Sequence, residues 1–281
     1  MTNILDRIWL IFSSVKLTIV LLLIFGIAMA YGTWIETVYS NGAARILIYR
    51  TWWFDVLTVL LALNLIGCTL RRAPYYPHQY PWLLTHVSLL LIMAASLITN
   101  RFGLQGQMVI LEGETENRFG LEQLDFENWE TTIGEERQLP FGVHCVAFEQ
   151  VMYPGTGMTS LFKSHVIVDD PGNPEKIEWD VILNHPLVYK GYKISQASWI
   201  DLPDGRQATV LGVSYDPGIP YMYVGGSLLV LSMAGIIFLK PWLKRKFPPA
   251  PRGPIMPLAE NTEMTQELMA DSPTNKEGIP A

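Results

Sequence analysis

PWLLTHVSLLLIMAASLITN, Pro81 to Asn100, decides the fold class. From Trp82 to Thr99 it is apolar enough and long enough to cross a bilayer as one helix. It holds one ionisable side chain, His86. At about 1.5 Å of rise per residue, His86 lies roughly 6 Å inside the span counted from Trp82. A neutral imidazole there still has one donor and one acceptor to satisfy. An ionisable group at that depth is costly unless it faces protein, water or a ligand. Two readings stand side by side. In one, His86 bonds a neighbouring helix. In the other, it ligates haem iron or another metal, imidazole being the commonest metal ligand.

Three further apolar segments flank this one: Leu17–Ile35, Phe54–Leu70 and Met222–Leu239. Each is near the minimum spanning length. Across 281 residues, 49% are hydrophobic and 16% charged, which suits a membrane protein carrying one modest soluble domain. The four-helix reading divides the chain into an interfacial amphipathic helix (1–16), three spans with short loops (17–99), an extracytoplasmic β domain (100–221), a fourth span with a basic stop (222–246) and a disordered cytoplasmic tail (247–281).

Leu5, Ile8, Trp9 and Phe12 fall at helical spacing with Asp6 and Arg7 on the other side, the pattern of a helix lying in the interface. Ser13 or Ser14 is positioned to cap the helix that follows. Leu17–Ile35 also fits the apolar core of a signal peptide, since Ala28-Met29-Ala30 satisfies the cleavage pattern. Against that, the apolar run continues to Ile35. Gly26 and Ala30 form a small-xxx-small pair suited to close helix packing. Glu36–Thr51 reads as a short loop ringed by Trp34, Trp52 and Trp53 as interfacial anchors. Asn64 in the second span reads as an interhelical hydrogen-bonding residue. His78, in the proline-broken connector APYYPHQYP, reads as an exposed loop histidine.

Charge sets orientation. Arg7, Lys16, Arg71, Arg72, Lys240, Lys244, Arg245 and Lys246 flank the ends that share one side if all four helices span. The positive-inside rule puts that side, and both termini, in the cytoplasm. His86 then lies in the cytoplasmic third of its helix, and Arg101–Tyr221 lies outside.

That outer stretch has strand-like runs at Gln107–Leu111, Val143–Met152, Leu161–Val168, Glu178–Leu183, Tyr192–Ala197 and Ala208–Tyr215. Turn residues such as Pro154-Gly155 and Asp216-Pro217-Gly218 punctuate them. The expectation is a mainly antiparallel β domain, a sandwich or an open barrel. It carries 18 acidic and 8 basic residues. Such a balance keeps a surface soluble and steers a basic partner at long range. His144, His165 and His185 follow no recognised metal spacing. His144 and Cys145 are adjacent on a strand and point to opposite faces, against joint ligation. Cys68 and Cys145 fall at opposite faces of the membrane on this topology and cannot pair; each reads as a small apolar packing residue. There is no phosphate loop, catalytic triad or CxxC. Nucleic acid is not an expected partner.

An ordered set of segments resembles a known family. SSVKLTIVLLLIFGIAMAYGTWIE (Ser13–Glu36), LLALNLIGCTLRR (Leu60–Arg72), the histidine span, GLQGQMVILEGETENRF (Gly103–Phe119), LNHPLVYKGYKISQASW (Leu183–Trp199) and SYDPGIPYMYVGG (Ser214–Gly226) together look like ResB-like proteins. These are the CcsB membrane proteins of System II cytochrome c biogenesis. The resemblance runs from about Ser13 to Lys246; the outer domain is more compact than in many members.

The resemblance implies a bacterial cytoplasmic-membrane protein with its β domain periplasmic or extracellular. It implies that the chain is no enzyme alone but the haem-handling subunit of a cytochrome c synthetase (haem lyase) complex. With a CcsA-type partner it would carry haem b as transient cargo across the membrane and present it, reduced, to apocytochrome c. His86 matches the family's third-span axial ligand to haem iron, the second ligand coming from the partner. The rival readings are an assembly subunit that binds no haem, and a small-molecule transporter subunit. The second has little coupling machinery, with one deep ionisable residue in four spans.

Overall fold

The computed structural model describes residues 4–127, 129–155, 159–203 and 206–248. The expected tail from 249 onward lies outside them.

Among the described residues four helices are long and apolar enough to cross a membrane: Val15–Val38, Trp52–Leu70, Pro77–Phe102 and Ile219–Lys246. Helices of this length and composition make the chain a membrane protein. In chain order the helical elements are α1 (Ile4–Phe12), α2 (Val15–Val38), α3 (Asn41–Ala44), α4 (Trp52–Leu70), α5 (Tyr80–Phe102), α6 (Ile219–Ala234) and α7 (Lys240–Lys246). A π-type turn, Gly235–Leu239, joins α6 to α7. α2 packs on α4, α4 on α5 and α5 on α6, so the spans stand in a row.

Polar side chains stitch the row from inside. Thr18 donates to Asn64 Oδ1 at 2.7 Å, and Asn64 Nδ2 donates to the carbonyls of Phe12 (2.8 Å) and Ser14 (3.2 Å). This single buried amide ties the α1–α2 joint to α4, as expected of it. Thr85 on α5 donates to Ser232 on α6 at 2.9 Å. Ser14 does occupy the cap position of α2, but its side chain makes no capping bond. Gly26 has nothing within 4 Å of its Cβ direction, so the Gly26–Ala30 face packs no helix of this chain.

The segment read as a loop after α2 is largely helical. Ser40 caps α3 by accepting from the Ala43 N–H at 3.1 Å, and Arg45–Tyr49 continues as a π-type turn. Sequence spacing failed here because each piece is shorter than the two turns a period needs.

Eight strands follow α5 in the chain: β1 (Leu104–Leu111), β2 (Thr115–Leu124), β3 (Thr131–Met152), β4 (Thr159–Asp170), β5 (Asn173–Val181), β6 (Leu187–Tyr189), β7 (Tyr192–Asp201) and β8 (Gln207–Tyr215). They form one antiparallel sheet in the order β5-β4-β3-β2-β1-β8-β7-β6. Every neighbour but β1–β8 is consecutive in sequence, so the sheet is a meander that returns to its first strand. It rolls up. Ser164 on β4 bonds Gln196 on β7 (2.7 Å) and Thr209 on β8 (2.8 Å) across the interior. The edge strands β5 and β6 come together without a ladder among the described residues, and the link between them holds an Ile182–His185 bridge. Of the two expected β architectures, the open barrel is the one formed.

Alternation fills the interior. Met108 and Ile110 point in while Val109 points out; Val143 and Cys145 point in, as do Val166, Val168, Leu211 and Val213. Phe119 and Phe141 are the largest sealed side chains. β1 and β2 approach closely at two glycines. A Cβ on Gly106 would sit 2.3 Å from the Gly120 carbonyl oxygen, so only glycine lets the strands approach there.

The barrel is gripped by the α2–α4 connection. Arg45 pairs with Glu122 on β2 and bonds Gln105 on β1. Ser40 and Thr131 hydroxyls lie 3.2 Å apart, and Tyr39 packs on Trp129 with ring centroids at 5.2 Å. At the end of α5, Thr99 donates to Asp216 at 2.7 Å and Arg101 pairs with Asp55 at 2.7 Å.

Candidate functional site

α5 is entered through a 3-10 turn, Pro77–Gln79, and Pro81 occupies its first turn, where no backbone N–H is needed. Trp82 and His86 are four apart and therefore share a face. Their ring centroids are 3.9 Å apart and the planes tilt by 43°. The Arg72 guanidinium, arriving from the end of α4, sits 4.6 Å from the Trp82 ring centroid. Arg72, Trp82 and His86 thus form a three-member stack, with a cation over an indole face. Tyr75 lies against the same indole at 6.3 Å.

The imidazole is half-buried, and its Nδ1 lies 3.0 Å from the Trp82 carbonyl oxygen. A carbonyl only accepts, so a neutral ring held this way carries its proton on Nδ1 and leaves the Nε2 lone pair open. That is the tautomer metal-bound histidines use, with one nitrogen anchored to an oxygen and the other free to ligate. The expected bond to a neighbouring helix is not what holds this ring; its anchor is its own helix. Trp82 and Arg72 escaped the sequence reading as members of the site. The signals were the four-residue spacing and the arginine pair that closes α4.

His78 corrects an expectation. It is buried, not an exposed loop residue, because its turn packs against α7 and its ring stacks on Tyr76 at 5.9 Å. Its Nδ1 has no hydrogen-bond partner.

The barrel histidines are each used locally. His144 bonds the Thr115 hydroxyl at 2.9 Å on the outer face, while Cys145 is sealed inside. Burial, with the nearby Glu112 charge, pushes the Cys145 thiol up to about 11, so it stays protonated and unreactive. His165 and Lys163 clasp the two oxygens of Asp180 at 2.7 and 2.8 Å. Lys163 first and His165 second hold that carboxyl below its ordinary range. His185 stacks on Trp179 at 4.5 Å and bonds the Asp180 carbonyl at 3.2 Å. Among the described residues no three histidine, cysteine or acidic side chains gather as a metal site. Both cysteines are free.

Residues 76–203 match the ResB-like family, a range that contains His86 and β1 to β7. The chain is 23% identical over 314 residues to Protein NrfI of Wolinella succinogenes, covering 80% of this chain and 34% of that protein. It is 25% identical over 209 residues to cytochrome c biogenesis protein CcsB of Gloeobacter violaceus, covering 54% of this chain and 42% of that one. Among solved structures, cytochrome c heme lyase CcmF aligns over 77% of this chain and 34% of its own, with TM-score 0.38 and 12% identity. The chain therefore spans between a third and just over two-fifths of the length of these curated relatives.

Proposed function

We propose that this chain is a haem-handling membrane subunit in cytochrome c biogenesis. In this reading it holds haem b as cargo on His86, and a CcsA-type partner supplies the opposite axial ligand. Apocytochrome c receives the haem outside. The observation that carries the reading is the His86 imidazole itself. It sits within an apolar span with Nδ1 against the Trp82 carbonyl, an arrangement in which the neutral ring presents its Nε2 lone pair. Haem supplies the iron whose ligation needs that lone pair. Trp82 braces the ring so that Nε2 keeps one direction. Arg72 adds a positive charge against the Trp82 ring, where a haem carboxylate would be neutralised.

Replacing His86 by alanine tests the assignment. The span stays apolar and inserts more readily, so the complex with its partner assembles. It then carries less haem or a shifted Soret band, and cytochrome c maturation fails. Added imidazole enters the vacated space and restores part of both. His144→Ala, on the outer face of the barrel, behaves like wild type. An unchanged haem content and spectrum in His86→Ala would reject ligation and favour the assembly-subunit role.

The same reading puts both termini in the cytoplasm and the barrel outside, following the basic residues at one set of helix ends. Alkaline phosphatase fused after Gly155 is then active, and after Lys246 inactive. The reverse pattern sinks this orientation.

A further inference from the structure

A cavity of about 670 Å³ opens where the helix row meets the barrel. Its lining comes from α2, the Arg45–Tyr49 turn, Arg50, the facing ends of α4 and α5, strands β1, β7 and β8, and the start of α6. Leu97 is eleven residues beyond His86 on α5, roughly 16 Å along the helix axis, so the cavity is separate from the histidine stack.

Its walls divide by chemistry. Phe25, Met29, Phe54 and Leu97 make one side apolar. The other side carries charge, most of it already matched. Arg45 is paired with Glu122, and Asp55 with Arg101 and Asn100. Asp216 accepts from the Thr99 hydroxyl and the Gly218 N–H. Two lining cations remain, Arg50 and Lys193, and neither is in an ion pair among the described residues. Among the described residues the Arg50 guanidinium makes one hydrogen bond, to the Gly103 carbonyl.

We propose that this cavity binds an anionic amphiphile, its apolar body against Phe25, Met29, Phe54 and Leu97 and its carboxylate or phosphate on Arg50. Lys193 adds a second cation at the barrel wall. A guanidinium matches either oxyanion with two parallel bonds. The position suits such a molecule, because an apolar floor formed by spans and a polar roof formed by the barrel reproduce a membrane-water boundary. Burial and the neighbouring Arg45 charge also lower the Arg50 pKa, a penalty on its positive charge that a bound anion relieves.

The test uses the full chain in non-ionic detergent, titrated with phosphatidylglycerol and with phosphatidylcholine of the same acyl chains, read by native mass spectrometry. Wild type retains phosphatidylglycerol at least tenfold more tightly. Arg50→Gln loses that preference, and Arg50→Lys keeps part of it, which separates lost charge from lost fold. Leu97→Trp fills the apolar side and weakens both lipids. Haemin, a dicarboxylate amphiphile, provides the second arm. If it displaces phosphatidylglycerol from wild type and from His86→Ala, but does not bind Arg50→Gln here, the natural head group is a carboxylate. If it does not compete, the head group is a phosphate. Equal retention of the two lipids by wild type, or an unchanged preference in Arg50→Gln, overturns the proposal. The His86→Ala arm keeps this outcome apart from the fate of the haem-ligand assignment.

Discussion

Val143, Val166 and Leu211 are sealed inside the barrel, whereas Leu23, Ile27 and Val230 of the spans point outward, and polar Asn64, Ser88 and Ser232 are sealed there beside Ala95 and Ile35. The spans thus bury a more polar mixture than the barrel does. The barrel is stabilised by taking apolar surface out of water. The helices gain nothing from hiding leucine when the surrounding lipid is equally apolar, so packing and interhelical hydrogen bonds hold them. The same side chain therefore carries different weight in each region. The barrel does hold a buried polar trio, Ser164, Gln196 and Thr209, but every member is satisfied by another or by the Ser198 carbonyl. It fixes which strands face each other as the sheet rolls up.

The largest expected effect separates the two regions directly. Phe141 is sealed in the barrel with Tyr189 and Tyr192 rings at 5.0 and 6.0 Å. Phe141→Ala leaves a cavity among groups that cannot collapse, and should destabilise the barrel by about 3–5 kcal/mol. Leu23→Ala, on a surface-facing turn of α2, should change little. Denaturation of the full chain in detergent, followed by near-UV circular dichroism, reads both. Similar losses for the two variants would break the comparison.

Next in size is Asn64. Leucine there suits the lipid but abandons the Phe12 and Ser14 carbonyls and the Thr18 hydroxyl. The expected cost is about 1–2 kcal/mol, the range for interhelical polar contacts. It should be local. Hydrogen exchange across Trp9–Ser14 accelerates while β3 and β4 keep their protection. Unaltered exchange at that joint would mean the amide is not what ties α1 to α4.

What was legible in the sequence follows the same division. The spans were readable because membrane thickness demands long apolar runs, and the best strands because one face of each is sealed. β2, TENRFGLEQL, was not. Its polar residues dominate and two register shifts against β3 break its alternation. The first half of β3, with Gly134-Glu135-Glu136-Arg137, hid for the same reason. β6 has three residues, too few for any period. His86 stood out by being the one ionisable group in its span. Its tautomer did not, since that needs the carbonyl one turn back. His78 was misread because the group that buries it, α7, lies some 160 residues further along the chain.

The smallest expected effect is electrostatic and belongs to the barrel alone. Asp170 accepts from Lys190 and Tyr189, both at 2.6 Å, and from the Gly172 N–H at 2.9 Å. Lys190 first, then Tyr189, hold its carboxyl at about 2, below the ordinary 3.8. A carboxyl with a depressed folded-state pKa contributes stability that is present in full above its unfolded value and is lost as pH falls through the folded one. The window is therefore from about pH 4 down to about pH 2. Lys190 is largely open to water, so screening keeps the contribution modest at neutral pH. Asp170→Asn should lower the barrel's unfolding midpoint slightly at pH 6. The gap to wild type should then close as pH drops through that window, because the wild-type carboxyl becomes neutral as well. The spans' own ion pair, Arg101 with Asp55, is untouched by this change, and helix-row unfolding should be indifferent to the substitution. A gap between variant and wild type that stays constant from pH 6 to pH 2 would show that Asp170 acts through the shape of its turn and not through its charge.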